Sequence, residues 1–236
     1  MFVNKSSIFI FCIAIILSGC GFGKALTAMH TKKVKPQYYS FEDKSIIFTP
    51  LVHFGQKEFY KNLNDSIVGW KKNGYIIFYE GIIHNASEMG VDSITADNTN
   101  RKWRKIVGGE QMTREGYEEL NEVFKNKMVQ PENEDLGIDS TDLNADITMI
   151  DLVSHFEEYY EEVNLDSCDF ATPLDSNYTC NKKLKGKLKP IILDYRNEQL
   201  VEKVIASPSD KIVVLYGAMH IKGMKKSLKQ YEKGNK

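Results

Sequence analysis

The chain is 236 residues long, 42% hydrophobic and 27% charged, with a formal net charge of −1. That length and composition fit one globular domain with a full core, and the near-neutral balance argues against nucleic acid as the main partner. No internal repeat, Walker A loop or GxGxxG phosphate-binding signature appears.

The N-terminus reads as a targeting segment. Lys5 supplies a thin positive region, and residues 8–17 form an unbroken apolar stretch. That is the length of a signal-peptide core and too short to span a bilayer. Leu17-Ser18-Gly19-Cys20 then resembles the bacterial lipobox, whose cysteine is lipidated and becomes the mature N-terminus. Residues 1–19 are therefore expected to be a lipoprotein signal peptide, Cys20 the lipidation site and residues 20–40 a tether. The folded domain is expected over 41–236, held at the membrane of a bacterial cell envelope.

In the domain, the first apolar run covers 46–52 and ends at His53 (SIIFTPLVHFG). Phe59, Leu63, Ile67 and Trp70 then recur at helical spacing over 55–72, and Asn73-Gly74 closes that helix. A second run over 75–79 stops at Glu80 (YIIFYEG), which makes a β-α-β unit with parallel strands. A further helix is expected over 113–128, a loop over 129–145, and a helix over 148–163. The last is capped by Asp146, or by Thr148 with Asp151. His84 and His155 lack a strand-end setting and read as surface or cap residues. Export leaves Cys168 and Cys180 as an even pair in an oxidising compartment, hence a structural disulfide. The basic cluster 182–189 (KKLKGKLK) reads as a solvated loop.

The pattern at the end of the chain repeats that of the beginning. A helix over 190–206 carries Asp194, Arg196 and Asn197 and breaks at Ser207-Pro208-Ser209-Asp210. A third apolar run over 211–216 leads through Gly217 to His220 (KIVVLYGAMH), and a basic helix follows to about residue 233. Gly217 and Gly223 allow close backbone approach. The expected fold is α/β, a central mainly parallel sheet flanked by helices in a single domain. Ligands of such sheets sit outside the carboxyl ends of the strands. If the three strands are parallel and adjacent, His53, Glu80 and His220 meet at one edge. Imidazole and carboxylate ligate divalent ions and move protons near neutral pH.

VHFGQKEFYKNL, YIIFYEG, Asn144-Ala145-Asp146, Arg196-Asn197 and YGAMH, taken in that order, are similar to the TraB/Tiki superfamily, most of all its small bacterial branch. The likeness runs from about residue 45 to 230. It departs at the first GxxH, where Pro50 holds the glycine place before His53. The resemblance implies a strand-end pocket with His53, Glu80 and His220 as metal ligands or as an acid–base set. Arg196 would orient Glu80 or bind a substrate carboxylate, with Asn197 and Asp146 in support. Animal members are regarded as metal-dependent peptidases, more distant relatives as esterases with no essential metal, and some related bacterial lipoproteins bind haem. The leading expectation is a membrane-anchored, metal-dependent, peptidase-like hydrolase using a divalent ion. The alternative is a lipoprotein that captures haem or iron without turnover, Tyr79 and Tyr216 being candidate iron ligands beside the site.

Overall fold

The computed structural model describes residues 30–108, 127–176, 178–180 and 190–234. Cys20 with its signal segment, all but the end of the helix expected over 113–128, and the basic cluster 182–189 lie outside these residues. No helix among the described residues is long and apolar enough to cross a membrane.

The sheet is built from β1 (Gln37–Phe41), β2 (Lys44–Leu51), β4 (Ile76–Tyr79), β6 (Leu143–Asn144) and β7 (Lys211–Gly217), in the order β1-β2-β7-β4-β6. β1 runs antiparallel to β2, and all the other neighbours are parallel. The architecture is α/β, as expected. The β-branched and aromatic runs suit strands buried on both faces. β7 lies between β2 and β4, so their intervening helix, α1 (Lys57–Lys72), spans the width of one inserted strand. Pro50 lies past the β1 ladder, which stops at Phe48, so its missing N–H leaves no β1 carbonyl without a partner.

Alternation along the strands separates two cores. Phe48, Phe78, Val214 and Tyr216 pack with α6 (Arg196–Ala206) and α7 (Ile221–Gly234) on one face. Ile47, Ile77, Val213 and Leu215 pack on the other against Phe59, Leu63 and Ile67 of α1. A third core joins α3 (Ser93–Val107) and α4 (Met149–Tyr159) through Trp103, Ile106, Leu152 and Phe156. Two short helices, α2 (Ala86–Met89) and α5 (Ser167–Ala171), complete the set among the described residues. Thr148 and Asp151 cap α4 reciprocally, which leaves Asp146 for other work. Cys168 and Cys180 lie at bonding distance, with an S–S separation of 2.03 Å.

Three expectations change. The tether expected to residue 40 already enters the sheet at Gln37, where β1 forms the edge strand. The loop expected over 129–145 contains β6, and before it β5 (Met128–Val129) pairs antiparallel with β3 (Phe54–Gly55). The helix expected over 190–206 is a π-helical segment, Pro190–Tyr195, followed by α6. His155 is no cap: it is half-buried and stacked on Tyr195 with ring centroids 3.8 Å apart. His84 is exposed.

Candidate functional site

β2, β4 and β7 are parallel and adjacent in the sheet, so His53, Glu80 and His220 leave it at the same edge. Glu80 extends the β4 ladder by one residue, its N–H donating to Leu215 O at 3.1 Å. One carboxylate oxygen accepts from the Gly217 N–H at 2.5 Å and the other from Arg196 Nη2 at 2.6 Å. His220 Nε2 stands 3.6 Å from that second oxygen. The Glu80 side chain retains 15% exposure, whereas Arg196 and His220 are buried.

Arg196 stands at the first turn of α6, where the π-helical segment gives way to regular helix. Its Nε and Nη2 grip Asp146 side-on at 2.9 and 2.5 Å, and Nη2 also reaches Glu80. Asp146 further accepts from the N–H groups of Gly81 and Ile147, so its carboxylate is saturated. Asn197, the next residue, turns its oxygen to His220 Nδ1 at 2.8 Å. That assigns the ring proton to Nδ1 and leaves the Nε2 lone pair facing Arg196 Nη1 at 3.3 Å and Glu80. Asn197 packs so tightly on α7 that a Cβ at Gly223 would lie 2.1 Å from its amide nitrogen.

The charges follow from these contacts. Burial works to raise the Glu80 carboxyl, but Arg196, His220, the Gly217 N–H and His53 together hold it below the ordinary value. His53 stands on an exposed turn after β2. Burial depresses His220 below its ordinary value, with Glu80 opposing, so the imidazole is neutral at neutral pH. Tyr216, fully buried, has its ring against His220 and near Arg196, and its hydroxyl lacks a well-formed hydrogen bond.

Glycine at 217 opens the site. A Cβ there would lie 3.0 Å from Glu80 Oε2 and 3.6 Å from His220 Cδ2. The space above Gly217 is therefore a point that both side chains border. Ala218 and Met219, which follow it, are exposed.

The expected metal set does not fit as the residues stand. Among the described residues no group of three His, Cys, Asp or Glu side chains is placed to hold a metal ion. Both Glu80 oxygens are already engaged, and the free nitrogen of His220 faces a guanidinium, a poor neighbour for a divalent cation. Of the two candidate iron ligands, Tyr216 belongs to the α6–α7 face of the sheet and Tyr79 to the α1 face, so strand parity keeps them from sharing one ion. The residues that sequence reasoning underrated are Asp146 and Asn197, which position Arg196 and His220. Their signals were the Asn144-Ala145-Asp146 and Arg196-Asn197 segments of the resemblance, and hydrophobic spacing marks neither residue. No known protein family, curated protein or solved structure matches this chain.

Proposed function

We propose that the chain is a membrane-tethered hydrolase of carbonyl compounds, peptides foremost, whose reaction takes place above Gly217. The observation that carries this reading is the meeting of a fixed carboxylate and a neutral imidazole at the sheet edge beside Gly217, where the turn has no side chain. His220 Nε2 exchanges the Arg196 N–H for a water that Glu80 also holds through a remaining lone pair; it takes a proton from that water, and the water oxygen bonds to the substrate carbonyl carbon. Glu80, 3.6 Å away, stabilises the imidazolium that forms. The proton then passes to the leaving nitrogen as the C–N bond breaks. Asn197 holds the ring tautomer, and Arg196 fixes Glu80. These positioning roles suit a site pre-organised before substrate arrives.

The test is cleavage of a peptide library by the purified full chain, read by mass spectrometry. His220→Gln, Glu80→Gln and Gly217→Ala should each abolish cleavage while circular dichroism stays native. Cleavage that survives His220→Gln, or none by the native chain, overturns the reading. Activity lost to a chelator together with a stoichiometric metal would favour the metal-dependent expectation, and a Soret band without cleavage the haem one. For the anchor, Cys20→Ala should release the protein from membrane fractions; an acylated, membrane-bound variant would show that the lipobox assignment is wrong.

A further inference from the structure

The turn that carries Gly217 also opens one end of a groove. It starts at Ala218, runs down the outer side of α7 and is bounded on its far side by Gln37 of the edge strand, an open furrow of about 700 Å³. Its wall is a stripe of lysines: Lys222, Lys226, Lys229 and Lys233 line it, together with Lys225, which donates to Gln37 Oε1 at 3.1 Å. The spacing of three and four residues puts all of them along one side of the helix. No acid lines the groove, and Glu232, the only acid of α7, turns to Tyr39 instead.

Like charges crowded at helical spacing repel, so this stripe destabilises α7 by itself and needs an anionic partner to neutralise it. From Lys222 to Lys233 the stripe is about 16 Å long, the length of roughly five extended residues. A concave, lysine-walled channel of that length, ending one residue from the Glu80–His220 corner, fits an extended anionic chain better than a flat surface.

We propose that this groove binds an acidic peptide segment in extended form and delivers the bond next to it to the corner above Gly217. The inference rests on the hydrolase reading for the direction of delivery, while the groove's preference for acidic chains stands apart from it. Carboxylates of alternate residues face the helix and pair with the lysine ammonium groups. The other side of the peptide faces solvent, so the selection is for charge rather than for a particular residue.

The experiment measures anisotropy of a short fluorescein-labelled peptide of alternating Glu and Ala, against the same peptide with Gln or Lys for Glu, on the full chain. The acidic peptide should bind, weaken steeply with added salt, and lose about 100-fold in affinity in Lys222→Gln/Lys226→Gln/Lys229→Gln, at about fivefold per lysine. Glu80→Gln should leave that binding unchanged. Acidic binding with no cleavage of any peptide would sink the hydrolase and keep the groove. Cleavage indifferent to peptide charge and to the triple variant would keep the hydrolase and overturn the groove. Equal binding of all three peptides overturns the proposal. So does a triple variant that loses its hold on phosphatidylglycerol vesicles while binding the acidic peptide as before, since the stripe is then a membrane-facing surface.

Discussion

Two buried cations in this molecule are each gripped by two carboxylates, and they end up in opposite situations. Arg196 lies between Asp146 and Glu80 at the sheet edge. Lys105 lies between Asp166 and Asp169 beneath the disulfide, at 2.9 and 2.5 Å. Around Lys105 the bonds serve the fold: Asp169 also accepts from Tyr178, Asp166 and Asp169 cap α5 reciprocally, and Arg104 holds the carbonyls of Thr172 and Pro173. Nothing there is neutral and titratable near pH 7. Around Arg196 the chain adds a neutral histidine, a carboxylate open to solvent and a glycine where a side chain would block access. Buried charge is common to both, so it does not mark a site. The neutral imidazole and the part-exposed carboxylate beside it do.

Removing the cation should hurt both clusters most. Arg196→Ala and Lys105→Ala each leave a buried carboxylate without its partner and should cost about 3–5 kcal/mol in urea unfolding. A loss below about 1 kcal/mol for Arg196→Ala would show that water replaces the guanidinium easily and that the edge cluster is looser than the Lys105 one. Reducing the Cys168–Cys180 bond should destabilise by about 2–3 kcal/mol and loosen the Lys105 side, leaving the Arg196 side intact. Hydrogen exchange of α6 that rose equally with that of α5 would merge the two regions into one cooperative unit.

Gly223→Ala is a subtler probe. The added methyl meets the Asn197 amide, so Asn197 must shift and release His220 Nδ1. A cost of about 1–2 kcal/mol is expected, with a shifted His220 titration by NMR as the specific sign. An unchanged imidazole titration would mean that Asn197 does not hold the ring.

Acid should separate the clusters with the smallest effect. His220 is depressed when folded, so the unfolded chain binds the proton more tightly and stability falls as pH drops below the ordinary histidine value of 6.5 toward the folded one. Glu80 is also depressed, and its contribution, present above the ordinary value of 4.5, is lost as pH falls through its folded pKa. His220→Gln should diminish the first of these two phases in thermal melts and leave the share of His155, which burial also depresses. A first phase undiminished in that variant would assign it to His155 alone.

The strand ends were readable because β2, β4 and β7 are short β-branched runs that stop at turn residues, a pattern tied to burial on both faces. β1 was misread as tether because Gln37, Tyr38 and Ser40 are exposed on an edge strand and give no apolar run. α3 was not recognised at all: its buried side includes Thr99, which bonds back to Thr95 O, and Arg104 and Lys105, whose partners come from across the fold. The convergence of His53, Glu80 and His220 on one edge followed from strand parallelism. The commitment of Glu80 to Arg196 and Gly217 did not, because it depends on where α6 begins, and the π-helical segment before Arg196 leaves no mark in hydrophobic spacing.

The place of β7 has a consequence for how the molecule comes together. The strand that separates β2 from β4 is made after both, and it pairs with residues more than 130 positions earlier. Until it inserts, β2 and β4 each present an unpaired edge to the other, and the ends that carry His53 and Glu80 have no common border. Such long-range closure is slow, so a nascent or truncated chain lacking residues after 210 holds sticky strands and no reactive corner. The Glu80–Gly217 contact and protection from aggregation should therefore appear in one step, with the arrival of β7.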